Sequence, residues 1–165
     1  MKVLFTDFDG VLCPWGPTQD LERGLDHIVN GGCYLFNKSC VERFNTITNE
    51  TGAVIVVISS WRHYIRSLSV MSNMLKAQGV AGKLLGMTPE AHESWKDQSR
   101  GAEVIEYMRG IHGIESFAIL DDADMGWKGL EKFWVKPHGY LGIQPREVNR
   151  SINLLKHGKQ LQHCN

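Results

Sequence analysis

Two aspartates one residue apart, Asp7 and Asp9, follow the apolar run Val3-Leu4-Phe5 in the stretch VLFTDFDGVL. Aspartate is a poor strand former and like charges repel, so a structural role alone gives little reason for the pair. Chemistry gives a better one, because neighbouring carboxylates hold a divalent cation, attack an electrophile or shuttle a proton. A later apolar run, Phe117-Ala118-Ile119-Leu120, also ends in two acids, Asp121 and Asp122, and the run from Ala53 to Ile58 ends in Ser59.

For these residues to act together, the ends of the runs must converge. Residues 2–8 and 53–58 have the near-continuous apolar character of strands buried on both faces. Between them Cys40, Val41, Phe44, Ile47 and Thr48 recur at helical spacing, and Thr51-Gly52 supplies a stop. Ile65, Leu68, Met71 and Leu75 predict a helix from His63 to Gln78, followed by a short strand from Lys83 to Met87. Ala102, Ile105, Tyr107, Met108 and Ile111 predict another helix before the strand at 117–120. Lys132–Lys136 reads as a further strand, and Pro145–Leu155 as a last helix with Val148, Ile152 and Leu155 facing inward.

This alternation predicts an α/β fold, a doubly wound parallel sheet of about five strands with flanking helices. Ligands of such sheets bind beyond the carboxyl ends of the strands, where Asp7, Asp9, Ser59, Asp121 and Asp122 all fall. Several carboxylates in one crevice need a cation, and hard oxygen donors favour Mg²⁺ over Zn²⁺. Because Mg²⁺ is commonly shared with phosphate oxygens, the cluster points to a phosphorylated substrate.

Length and composition bound the reading. The chain has 165 residues, 42% of them hydrophobic, which suits a single domain over 1–165. Eighteen basic and 18 acidic side chains cancel, so no global field draws the protein to nucleic acid or an anionic membrane, although a local basic patch is compatible with this balance. Cys13, Cys33, Cys40 and Cys164 lack zinc-site spacing and are expected as reduced thiols. With no signal-peptide pattern and no apolar run long enough to span a bilayer, the expected location is cytoplasmic, without a membrane partner.

The pattern of a strand then Asp7-x-Asp9-Gly10-Val11, a strand then Ser59, a basic residue opening a later helix, and a strand then Asp121-Asp122 resembles the four motifs of the haloacid dehalogenase (HAD) superfamily of phosphohydrolases. More narrowly, SSWR at Ser59–Arg62, RGAEVIEYM at Arg100–Met108 and LDDADM at Leu120–Met125 are similar to the small HAD domains found alone or fused in RNA-repair proteins. The resemblance implies a Rossmann-like core in which Asp7 is the nucleophile that forms an aspartyl-phosphate and Asp9 is the general acid and base. It implies that Ser59 and Arg100 stabilise charge on the phosphoryl oxygens, and that Asp121 and Asp122, with Asp7 and Asp9, hold Mg²⁺, Asp9 through its backbone carbonyl.

Three assignments stay open at this level. Lys96 competes with Arg100 as the phosphate cation, Ser60 with Ser59 as the phosphate donor, and Asp124 with Asp122 as a metal ligand. Gly10, Ser60, Trp61 and Arg62 are expected at the substrate, Trp61 by stacking and Arg62 by charge, with packing under the sheet edge as the other role for Trp61. Lys128, Lys132 and Lys136 read either as a solvated edge or as contacts to a phosphate backbone.

The irregular segment 13–37 occupies the position where many relatives insert a cap, and it is too short for a separate domain, so the resemblance implies minimal capping and an open cleft. An open cleft suits a phosphate on a nucleic-acid end or another bulky molecule, as well as a small phosphoester. The competing class is a receiver-like phosphoacceptor module, which also gathers acids around Mg²⁺ but places its adjacent acids after the first strand.

Overall fold

The computed structural model describes residues 1–16 and 36–158. Most of segment 13–37, with Cys33, and the C-terminal Cys164 lie outside the described residues, so the expectation of minimal capping falls there too.

Five strands, β1 (Lys2–Thr6), β2 (Val54–Val57), β3 (Leu84–Met87), β4 (Ser116–Leu120) and β5 (Trp134–Val135), form one sheet in the order β3-β2-β1-β4-β5. Every pairing is parallel, with Phe5 in register with Val56 on one side and Ile119 on the other. The helices are α1 (Lys38–Thr51), α2 (Leu68–Ala77), α3 (Arg100–Arg109) and α4 (Pro145–His157). The fold is therefore the doubly wound α/β sheet that the sequence predicts.

Apolar runs without alternation arise because both faces of the sheet are covered. Leu4, Ile55, Val57, Ala118 and Leu120 pack with Phe44 and Ile47 of α1, Met71 and Leu75 of α2, and Val148 and Leu155 of α4. The intervening residues Val3, Phe5, Val56, Phe117 and Ile119 face the other way, onto Val104 of α3 and the buried Trp127, Leu130 and Phe133. Each fully buried Leu, Ile or Phe stabilises the fold by about 1.5–3 kcal/mol. Central strands lined this way hold their carboxyl ends rigidly, which is what a site built there requires.

Local signals set the helix ends. Asn37 caps α1 by accepting from the Cys40 N–H at 3.0 Å, and Gly52 ends the helix at φ 67, a left-handed conformation that glycine adopts at little cost. At α4 the Glu147 carboxylate accepts from the Gln144 N–H, closing a capping box around Pro145.

Two predicted elements depart most from their expected bounds. The helix expected from His63 begins at Leu68, because Ser67 is its cap and residues Ser60–His63 form a tight 3₁₀ turn. The fifth strand contracts to Trp134–Val135, because Glu131–Phe133 makes a 3₁₀ turn that buries Phe133. Among the described residues no helix is long and apolar enough to cross a membrane.

Candidate active site

The end of β1 delivers Asp7 and the end of β4 delivers Asp121, on adjacent strands. The Asp7 N–H donates to the Leu120 carbonyl at 2.9 Å, which continues the ladder one residue beyond the strand and fixes the two carboxylates side by side. Asp7, Asp121 and Asp122 each offer a carboxylate oxygen within 4.8 Å of the others. Asp121 is fully buried and Asp7 is 6% exposed, so mutual repulsion acts in a medium that screens it poorly.

Asp122 reaches the cluster only because two glycines make room. A Cβ on Gly10 would stand 2.2 Å from the Asp122 carboxylate, and one on Gly139 would stand 2.3 Å from it. Gly10 also has φ 69, so the turn after Asp9 needs glycine for its backbone as well as for space. Gly10, expected at the substrate, lies against Asp122.

Arg100 is the cation of this cluster. Heading α3, with Ser99 as the cap, it donates through Nη1 to Asp7 Oδ2 at 2.6 Å and to Asp121 Oδ2. Burial opposes its charge, but the carboxylates of Asp7 and Asp121 outweigh that and raise its pKa. Lys96, the alternative cation, is exposed. Asp124 likewise stands apart, closing a turn by accepting from the Gly126 N–H at 3.2 Å.

Burial, followed by the charge of Asp7, raises the Asp121 pKa to about 6. The same two causes raise that of Asp122. Asp121 is held from behind, its Oδ1 accepting from Ala123 N–H at 2.9 Å and its carbonyl accepting from Trp134 Nε1–H at 2.7 Å.

The metal role expected of Asp9 is through its backbone carbonyl, and its carboxylate stands apart from the cluster of Asp7, Asp121 and Asp122. The reason is a hydrogen bond: Trp61 Nε1–H donates to Asp9 Oδ2 at 2.9 Å. Desolvation raises the Asp9 pKa, the Trp61 bond pulls it down and the Asp7 charge raises it again, with a net upward shift. The indole itself packs on Phe8 and Phe36, at ring separations of 5.4 and 5.8 Å, so its direction is fixed from below. Trp61 therefore packs under the site and positions Asp9.

Ser59 is fully buried at the end of β2, where its Oγ accepts from the Trp61 N–H at 3.4 Å and its own O–H is left to donate. Ser60 is exposed. Arg62, expected to contact substrate, instead turns inward and is 5% exposed. It donates to the carbonyls of Ile58 and Ser59 and pairs with Glu103 of α3. Burial lowers its pKa, with Glu103 acting in the opposite direction.

Glu103 was not singled out from sequence, although it lies three residues after Arg100, about one turn along the same helix. Its second oxygen accepts from Ala91 N–H at 3.0 Å, so one buried carboxylate joins α3, the Ser59 turn and the loop after β3.

A family model described as the HAD domain in Swiss Army Knife RNA repair proteins matches residues 3–148. Comparisons with curated proteins and with solved structures find no match.

Proposed function

Since the chain belongs to the family of HAD domains in Swiss Army Knife RNA repair proteins, we propose that it is a magnesium-dependent phosphomonoesterase that works through a phosphorylated Asp7. The observation that carries this reading is the carboxylate cluster of Asp7, Asp121 and Asp122 with Arg100 reaching into it. The cluster fits magnesium, since its donors are all hard carboxylate oxygens on adjoining strand ends and Gly10 and Gly139 let Asp122 close in. Asp7, Asp121 and Asp122 would hold the ion through their side chains, and Asp9 through its backbone carbonyl. When bound, the ion neutralises the acids and the phosphate oxygens, so that an anionic nucleophile and an anionic substrate tolerate each other.

The residues of the chain divide the remaining work. An Asp7 carboxylate oxygen forms a bond to phosphorus as the bond from phosphorus to the leaving oxygen breaks. Asp9, held by Trp61, gives its proton to that leaving oxygen. It then takes a proton from the water that attacks phosphorus, which releases phosphate and restores Asp7. The Arg100 guanidinium and the Ser59 hydroxyl stabilise charge on the transferring group. The family's association with RNA repair makes a phosphorylated nucleic-acid end the leading substrate.

The test is hydrolysis of an aryl phosphate and of a phosphorylated oligonucleotide with magnesium. Asp7→Asn is expected to lower kcat by at least about a thousandfold on both. Full activity in that variant would overturn the reading.

A further inference from the structure

The loop from Lys136 to Gly142 joins two features that the chemistry above leaves unused. At its middle, Gly139 packs against Asp122, so the loop forms one wall of the candidate site. The same stretch carries Tyr140, 51% exposed, and pairs with a neighbouring turn that carries Trp15, 70% exposed. The pairing is main chain to main chain: Trp15 N–H donates to Gly139 O and Gly16 N–H donates to Tyr140 O, both at 3.0 Å. Two large aromatic rings thus stand in solvent within a residue or so of the wall of a carboxylate cluster. Both rings offer flat apolar faces to a ligand beside the carboxylate cluster.

At its start the loop enters an open groove of about 280 Å³ between β5 and the first turns of α4. Its lining includes Lys136, Arg146 and Arg150 along with Glu131 and Glu147. Glu147 is engaged by the Gln144 N–H, and Arg150 is anchored by donating to Trp134 O at 3.2 Å. Lys136 lies 5.3 Å over the Trp134 ring. Among the described residues Arg146 has no ion-pair partner. The groove thus sets the three cations Lys136, Arg146 and Arg150 against the two carboxylates Glu131 and Glu147, a local positive excess on a chain whose net charge is zero.

We propose that Trp15, Tyr140 and this groove form a binding site for a single-stranded polynucleotide whose terminal phosphate is presented to Asp7. The rings offer a face for the base next to the scissile phosphate, and Lys136, Arg146 and Arg150 take the backbone phosphates that follow. Aromatic platforms beside a cationic groove suit single strands, because every base has a face to stack and every linkage a charge. A phosphopeptide shares only the terminal phosphate and would leave both the groove and the rings unused. The proposal rests on the phosphatase reading for the position of the terminal phosphate, but binding is measured without turnover.

The experiment is fluorescence anisotropy with magnesium of the full chain carrying Asp7→Asn, which blocks turnover, with a short single-stranded RNA labelled at one end and phosphorylated at the other. Trp15→Ala and Tyr140→Ala are each expected to weaken binding about tenfold, in line with the loss of one stacked base, and Trp15→Phe to restore most of it. Arg146→Glu is expected to weaken binding and to lower the slope of log affinity against log salt by about 0.7, the value for one phosphate contact on a single strand. Trp15→Ala is expected to leave that slope unchanged.

Binding unaltered in all these variants would overturn the proposal, as would tighter binding of a phosphoserine peptide than of the RNA. Site-dependent RNA binding, with no hydrolysis by the wild-type chain under magnesium, would uphold the surface and remove the phosphatase reading. Hydrolysis of aryl phosphate with no RNA binding would do the reverse.

Discussion

Arg100 Nη1 lies 2.6 Å from Asp7 Oδ2, so the residue that heads α3 neutralises the carboxylate that ends β1. Its guanidinium also meets Asp121, and these two carboxylates raise its pKa in spite of burial. A fixed positive charge thus sits among acids that would otherwise repel each other, at the place where a phosphoryl group would develop negative charge.

Removing that charge should have two separable effects. Arg100→Ala is expected to lower kcat on an aryl phosphate by about 100-fold or more, the range seen when a transition-state donor is lost. The same variant, with its acids uncompensated, is expected to melt at lower temperature in EDTA and to recover more than wild type on addition of magnesium. Arg100→Lys, which keeps the charge without the fork, should retain part of both properties. Kinetics and thermal melts with and without magnesium check this.

Trp61 is expected to matter most when the leaving group needs a proton. Trp61→Phe keeps the packing on Phe8 and Phe36 but removes the donor to Asp9. Activity on an alkyl phosphate should fall about tenfold, a part of the roughly 10²–10⁴-fold that general acid catalysis contributes, since Asp9 itself remains, while an aryl phosphate, whose leaving group departs as the anion, should be affected less. Equal losses on both would contradict a role through Asp9.

The Arg62–Glu103 pair is buried on both sides and ties the Ser59 turn to α3. Truncating one partner leaves the other charge without compensation, a loss of about 3–5 kcal/mol. Glu103→Ala is therefore expected to be strongly destabilised in urea, and Arg62→Met combined with Glu103→Leu to be more stable than either single truncation. A double variant less stable than Glu103→Ala would contradict this.

Asp121 gives the metal-free protein a definite pH dependence. Burial and the charge of Asp7 put its folded pKa at about 6, above the ordinary carboxylate value of 3.8. A raised value means that the folded state binds the proton more tightly, so this contribution to stability is complete below about pH 4 and is lost as pH rises through about 6. In EDTA, Asp121→Asn should gain stability relative to wild type as pH rises from about 4 through about 6, with the difference levelling off above about 7. Denaturant melts across this range measure it, and a difference independent of pH would refute the shift.

Much of the scaffold was legible because its causes are local. β1, β2 and β4 are covered on both faces, so their sequences are apolar without interruption, and the acids at their ends stand out. The order of the motifs along the chain then placed Asp7, Asp121 and Asp122 at one edge. Residues whose roles depend on distant partners were not legible. Arg62 lies 41 positions from Glu103 and Trp61 lies 52 positions from Asp9, and no periodicity records either meeting. The exposure of Trp15 and Tyr140 was hidden as well, since an aromatic in a sequence reads as core until the fold leaves it outside. Gly10 and Gly139 carry a signal that only the packing explains, the space taken by Asp122.

The central claim is that Asp7 itself takes the phosphoryl group. An Asp9→Asn variant cannot activate water, yet an aryl phosphate needs no acid to depart, so the phosphorylated enzyme should accumulate. Borohydride reduction followed by peptide mass spectrometry would convert that acyl phosphate to homoserine. Homoserine at position 7, dependent on both magnesium and substrate, is the predicted result. Homoserine at another aspartate, or none at position 7 while wild type turns over the same substrate, would contradict the account.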